Sequence, residues 1–321
     1  MKKLGMEQFN KAAHFLKTHA QDIDKVMFEH FFENKPLNEV VDILTTYQNK
    51  DGGFGTLDYD IGYPYSCLKH TESACRYIFA LKHIPENHPL IKRLIPYIVE
   101  NYNSISGEWD NLIVPAVNDY PHAPWWRYDE KKPSIPKSRA DLIDHYNPNT
   151  NSALAGMLVK YSSFVPKEIL DRITAVVVDK IKSSYVFGQY GMMSDVYFVN
   201  ALKEEHLKKD LLKTLMGDGK LISLLDGNWG TENAYKLCHW IDTPEHPYYP
   251  MYKDAVQSNF DFLIGSQEVD GSWSPNWSWG EPEVWSRVLN RLKGVLTFNF
   301  LWTLKKFDCI DSEIRALITD I

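Results

Sequence analysis

Asp58 and Asp60, two carboxylates one residue apart, are a pair whose spacing suggests chemistry. Taken out of water together, such groups push each other's pKa values apart, so that one keeps its proton while the other ionises. The pair would equally suit a bound cation or a sugar hydroxyl. The plainer alternative is a solvated loop in which one Asp caps a turn or a helix. A second concentration lies in Pro121-His122-Ala123-Pro124-Trp125-Trp126. A histidine can exchange protons with a substrate near neutral pH, and the flanking prolines would hold His122 rigidly. Trp125 and Trp126 offer flat faces for a carbocation, an apolar surface or a sugar ring. Here the plainer alternative is a loop pinned into the core by its tryptophans, with His122 bonded to backbone.

Other candidates are weaker. Cys238-His239-x-x-Asp242 holds metal-competent residue types, but zinc needs more ligands at a recognisable spacing. The simpler reading is an ordinary helix with a core cysteine, which leaves His239 as a substrate-binding candidate. His70 and Glu72 stand at i and i+2, so they do not share a helix face. Asn149 is a natural N-cap or, more sharply, a substrate hydrogen-bonding group. Trp277 and Trp279 follow the last turn motif and can face a cavity mouth, while Glu281 and Glu283 suit a helix N-terminus. Asp58, Asp60 and His122 are therefore the expected catalytic residues. Trp125, Trp126, Asn149, His239, Trp277 and Trp279 are the expected substrate-binding residues. No cofactor is expected, and no ligand pattern supports a divalent metal.

The elements that must position these residues are announced by a repeated turn. Gln48-Asn49-Lys50-Asp51-Gly52-Gly53-Phe54-Gly55 and Gln267-Glu268-Val269-Asp270-Gly271-Ser272-Trp273 each place Gln at the end of an apolar helical run, then Asp-Gly, then a ring. Asp-Gly is turn chemistry, because Asp bonds nearby backbone and Gly accepts positive φ. The Gln amide is expected to reach unsatisfied groups at a helix end. Eroded copies follow at Gly107-Glu108-Trp109, Phe187-Gly188-Gln189-Tyr190-Gly191 and Asp226-Gly227-Asn228-Trp229-Gly230. A helix–turn unit repeated along one chain calls for a repeat architecture.

Apolar periodicity predicts one helical stretch over 6–33, then helices after Pro36, around 67–81 and after Pro89. Helical pairs resume at about 149–163 with 166–184 and 189–205 with 207–225. Thr231 to Trp240, Tyr249 to Gly265, Trp285 to Phe307 and Ser312 to Ile321 follow. Between them, six prolines from Pro115 to Pro148 predict a long loop at about 110–148, ordered by Tyr120, Trp125, Trp126 and Tyr128. Strand signals are scarce, so the chain is expected to be all-α, one domain over 1–321.

Composition bounds the rest. With 44% hydrophobic residues, 10 Trp and 18 Tyr, the chain must fill a large core or line a cavity with rings. A net charge of -7 and a pI near 5.9, with no basic stripe, argue against a nucleic-acid partner. Cys67, Cys75, Cys238 and Cys309 form no CxxC pair and are expected to be thiols. Met1-Lys2-Lys3-Leu4-Gly5 leads into no apolar h-region, and no run reaches bilayer length, so a cytoplasmic, non-spanning protein is expected.

The Gln-x-x-Asp-Gly-Gly-Phe-Gly and Gln-x-x-Asp-Gly-Ser-Trp turns resemble the QW repeats of the terpenoid cyclase and protein prenyltransferase superfamily. Bacterial single-domain members of unassigned activity are similar also at Pro121–Trp126 and Tyr146-Asn147-Pro148-Asn149. The resemblance implies an α/α toroid, with paired helices around a central aromatic-lined cavity that takes a small hydrophobic or ring-containing ligand. Class II cyclases of that superfamily protonate an alkene or epoxide with Asp-x-Asp-Asp. Here Asp58-Tyr59-Asp60-Ile61 lacks the final Asp, and the start of the next helix, Lys69-His70-Thr71-Glu72-Ser73-Ala74, has no acidic pair. The Asp-x-Cys of the zinc prenyltransferases does not occur. Cyclase- or prenyl-transfer-type chemistry on an isoprenoid is the leading expectation. A carbohydrate hydrolase or lyase on a helical toroid, taking a sugar-like ligand, and a non-catalytic scaffold are the alternatives.

Overall fold

The computed structural model describes residues 2–81, 83–110, 113–131, 148–183, 189–216, 229–230, 237–239, 241–280 and 282–318. In chain order the helices are α1 (Met6–Thr18), α2 (Asp22–Glu33), α3 (Leu37–Thr46), α4 (Leu68–Ala80), α5 (Pro89–Glu100), α6 (Pro148–Lys160), α7 (Lys167–Lys182), α8 (Gln189–Ala201), α9 (Glu205–Leu215), α10 (Tyr249–Gly265), α11 (Pro282–Lys306) and α12 (Ser312–Leu317). Among the described residues, paired strands are limited to the ribbon β1 (Tyr102–Asn103) and β2 (Glu108–Trp109), antiparallel with Tyr102 opposite Trp109. The protein is all-α. It forms two compact units, a middle one of Thr45–Leu221 and a terminal one of Met1–Leu44 with Ile222–Ile321.

The middle unit is built in two rows. α6 lies between α4 and α8, while α5 and α7 pack on α6, and α9 packs on both α7 and α8. Burial separates the rows. α4 is buried continuously from Leu68 to Cys75, and α6 is buried from Thr150 to Val159. α7, by contrast, buries only the stripe Ile173, Val177 and Ile181, one residue per turn of a surface helix. α4, α6 and α8 are thus an inner row and α5, α7 and α9 an outer one.

The repeated turns fix these rows by a shared set of bonds. Gln48 Nε2 donates to the Gly52 carbonyl at 3.0 Å and to Leu90 O in the first turn of α5 at 3.1 Å. In the terminal unit Gln267 Nε2 donates to the Gly271 carbonyl and to Gln8 O in the first turn of α1, both at 2.9 Å. Asp51 and Asp270 each accept the backbone N–H two residues on. Gly52 and Gly271 have φ of +94° and +89°. A Cβ on Gly52 would collide with the Arg93 carbonyl and one on Gly271 with that of Lys11, each three residues past the carbonyl that the Gln holds. The Gln amide therefore closes its own turn and grips a neighbouring helix, rather than bonding the end of the helix that carries it.

The ring residue of each motif bonds the next buried helix through its backbone N–H. The backbone N–H of Phe54 donates to Thr71 Oγ1 on α4 and that of Trp273 to Thr297 Oγ1 on α11. Trp109, in the eroded copy, donates its backbone N–H to Asn151 Oδ1 on α6 at 2.8 Å. The indoles of Trp109 and Trp273 bond back to Ile98 O and Leu263 O, carbonyls near the ends of α5 and α10. Trp229 is buried with its indole on Ser258 Oγ. Residues 226–228 of that copy and 187–188 of the copy at Phe187 lie outside the described residues.

In the terminal unit α11 packs on both α1 and α2. Leu4 pairs with Ile310 across a parallel bridge, its N–H on Cys309 O and its carbonyl receiving Asp311 N–H. The single stretch expected over 6–33 is broken at His19–Gln21. Asp22 and Asp24 supply the acidic first turn of a new helix, and Ala20 sits tightly against Gly294 of α11. Of the helix expected over Thr231 to Trp240, only the 3-10 turn Leu237–His239 falls among the described residues. The parts of the expected elements over 217–225 and 319–321 lie outside them. So do residues 132–147 of the expected long loop, among them Tyr146 and Asn147.

Candidate functional site

The middle unit gathers the chemistry. The loop between Phe54 and Cys67 runs against the loop holding His122. Ile61 bridges His122, Gly62 N–H donates to Pro121 O at 2.6 Å, and Ala123 N–H to Asp60 O at 2.8 Å. This ladder, with the short 3-10 turn Pro124–Trp126 that follows it, sets Trp125 over Asp60, its indole N–H 3.3 Å from Asp60 Oδ2. Trp126 is buried and turns its N–H toward Asp60 as well, without closing a hydrogen bond. Trp125 is 38% exposed and Asp60 only 8%. The solvated-loop reading of the Asp pair is therefore wrong for both residues, since Asp58 is 1% exposed.

Asp58 is fully engaged. Its Oδ1 accepts Asp60 N–H at 2.8 Å, its Oδ2 accepts Ser73 Oγ–H at 2.6 Å, and Lys69 Nζ stands 3.5 Å from Oδ2. Its own N–H donates to His70 Nδ1 at 2.9 Å, so the neutral imidazole carries its proton on Nε2. Burial pushes the Asp58 carboxyl up, but the Lys69 charge and the Ser73 bond outweigh it and hold Asp58 below the usual range. Asp60 goes the other way. Burial first, and the neighbouring Asp58 charge second, raise it to about 7 against the pull of Lys69 and the Trp125 N–H. Its Oδ1 is buried with no hydrogen-bond partner.

Behind the pair lies an ion chain that sequence inspection passed over. Lys69 Nζ is 3.0 Å from Glu72 Oε2, Arg76 Nε donates to Glu72 Oε1, and Arg76 Nη2 reaches Asn149 Oδ1 at 3.3 Å. Burial works against the charge on both cations, but their carboxylate partners prevail and raise both Lys69 and Arg76. The signal was present in the sequence: Lys69, Glu72, Ser73 and Arg76 stand at i, i+3, i+4 and i+7, on one face of a helix. His70 and Glu72 do point different ways, yet the Asp58 loop links both faces of α4.

The remaining candidates separate. His122 places Nδ1 2.7 Å from Tyr120 O, the backbone-bonded alternative, which puts that proton on Nδ1. Asn149 stands inside the first turn of α6 rather than ahead of it as an N-cap; its carbonyl receives Ser194 Oγ–H at 2.9 Å while its amide oxygen serves Arg76. Trp277 and Trp279 belong to the terminal unit, where both pack on Trp285 with centroids 5.4 Å apart. Cys238 is buried, Asp242 pairs with Lys306 at 3.4 Å, and the His239 side chain lies outside the described residues. Glu281 also lies outside them. All four cysteines are free thiols. Among the described residues no three His, Cys, Asp or Glu side chains come together as metal ligands, and no helix is long and apolar enough to cross a membrane.

No known family model matches the chain, and no curated protein matches it. In fold it is similar to a protein from Actinoplanes of known crystal structure, at a TM-score of 0.55 and 12% identity, over 94% of this chain and 98% of that one. That likeness extends to the path of the backbone and carries nothing about chemistry.

Proposed function

We propose that this protein is an α/α toroid of the terpenoid-cyclase kind, in which Asp60 gives a proton to an uncharged, unsaturated or ring-containing ligand lying against Trp125. The toroid is supported by the two-row middle unit and by turns of one geometry in both units. The carrying observation is Asp60 itself: a buried carboxyl that keeps its proton to about pH 7, with one oxygen unpaired, at the edge of a half-exposed indole. Protonation would form a C–H bond at an alkene carbon at the expense of the π bond, or an O–H bond at an epoxide oxygen as a ring C–O bond opens, leaving a carbocation and Asp60 as the carboxylate. An indole face stabilises the resulting cation, and a proton released at the end of the reaction restores the acid.

A hydrolase of sugars is less well supported by the same geometry. It needs two carboxyl groups facing one another across a cleft, each free to act. Asp58 has both oxygens occupied, and Glu72 is held by Lys69 and Arg76. Of these three described carboxyl groups one is available, not two.

The test incubates the purified protein with apolar polyprenes and their epoxides, with polyprenyl diphosphates, and with oligosaccharides, reading thermal shift and products together. A ligand that binds the folded state raises its melting temperature. Cyclised or isomerised products are expected from an apolar polyprene, lost by about 10²-fold or more in Asp60→Asn. Turnover undiminished in that variant, or a shift confined to oligosaccharides, would sink the reading.

A further inference from the structure

The neighbours of Asp60 are arranged by charge. On its own loop stand Asp58 and Tyr59; on α4, Lys69, His70, Glu72 and Arg76 with Ser73; on the facing loop, His122, Trp125 and Trp126; on α6, Asn149. Among these described groups, the carboxylates of Asp58 and Glu72 are matched by the cations of Lys69 and Arg76. The cluster is balanced while Asp60 is neutral, so an ionised Asp60 adds a buried charge with no cation of its own.

Lys69 decides how strongly that applies. Its ammonium stands between two carboxylates and lies nearer Glu72, at 3.0 Å, than Asp58, at 3.5 Å. Glu72 has a fixed second cation in Arg76, yet still draws Lys69 toward itself. We propose that Lys69 and Glu72 are the positioning residues of the Asp60 acid: Glu72 holds the Lys69 ammonium nearer to itself than to Asp58, so that one cation is shared between two carboxylates and the Asp58 charge opposes ionisation of Asp60. Neither residue is required to touch a substrate. The inference rests on the reading of Asp60 as the acid.

Two substitutions must act in opposite directions. Removing the Glu72 charge releases Lys69 toward the Asp pair, and removing the Lys69 charge takes away a cation that favours the Asp60 carboxylate. The readout is tryptophan fluorescence against pH, taken as the difference between each protein and its Trp125→Phe counterpart, since the Trp125 N–H bonds Asp60 directly. Wild type should show a Trp125-dependent transition near pH 7. Glu72→Gln should lower its midpoint by about one pH unit or more, Lys69→Met should raise it by a similar amount, and Lys69→Arg should restore it. Midpoints that stay in place, or that move in the same direction, overturn the proposal. If Lys69→Met does not fold, Glu72→Gln decides alone: an unmoved or raised midpoint overturns it. Turnover that needs Asp60, with no shift in these variants, would sink this inference and leave the functional reading intact. The expected shifts in a protein with no turnover would do the reverse.

Discussion

At the scale of the residue, Asp60 and Asp58 leave opposite marks on stability. Asp60 has a folded pKa of about 7 against an ordinary 3.8, so between these values the folded state holds a proton that the unfolded chain has released. Stability from this group is full below pH 4, falls as pH rises through the window, and is lost above about 7. Asp58 is shifted downward, and its contribution is present at neutral pH and fades only in acid. Asp60→Asn removes the first effect and leaves Asp58 in place. The variant should therefore gain stability over wild type at pH 8, on the order of a few kcal/mol, and show little gain at pH 4. Urea unfolding at the two pH values checks this; a gain of equal size at both would show that burial of the Asp60 charge is not the cause.

The element scale explains what was legible and what was not. Turn chemistry is written locally, so Gln48, Gly52, Gln267, Gly271 and Trp273 announced their turns, and even the eroded copy at Trp109 keeps the bond to the next inner helix. The Asp58–Asp60 pair was visible as a pair, and the Trp125–Trp126 loop as an ordered one. Their meeting was not, because it depends on the ladder of Ile61 with His122, a pairing of backbones with no side-chain signature. The α4 ion chain was not legible for another reason: charges at helical spacing usually mark a solvated face, and it takes the packing of α4 against α6 and under the Asp58 loop to bury this one. The turn glycines allow a graded test. Gly271→Ala must accept φ of +89° and drive its Cβ into the Lys11 carbonyl, whereas Gly280→Ala meets positive φ of +77° with nothing within 4 Å. Gly280→Ala should cost about 1 kcal/mol, and Gly271→Ala distinctly more, roughly 2–4 kcal/mol. Equal costs in chemical unfolding would mean that the turn does not grip α1.

At the scale of the whole molecule, the two ends of the sequence are parts of one structural unit. α1 offers its first-turn carbonyl to Gln267 and its Lys11 backbone to Gly271, as α5 does for Gln48 and Gly52 in the middle unit. α1 is thereby to the turn at 267–273 what α5 is to the turn at 48–54. The turn at 267–273 is consequently made by residues more than 250 positions apart in sequence, as the 259-residue separation of Gln8 from Gln267 records. Contacts of that separation form late, so the local bonds of the turn, from Gln267 to Gly271 and from Ser272 to Asp270, are reinforced by the tertiary fold. Deleting residues 2–18 should then loosen a segment far away in the chain. Amide exchange at Gly271 and Trp273 is expected to speed by about tenfold or more, a loss of roughly 1.4 kcal/mol of local protection, while the Gly52–Phe54 turn, which takes its helix from α5, keeps its protection. Unchanged exchange at Gly271 in the shortened protein would show that Asp-Gly chemistry alone maintains the turn and that α1 is not its partner.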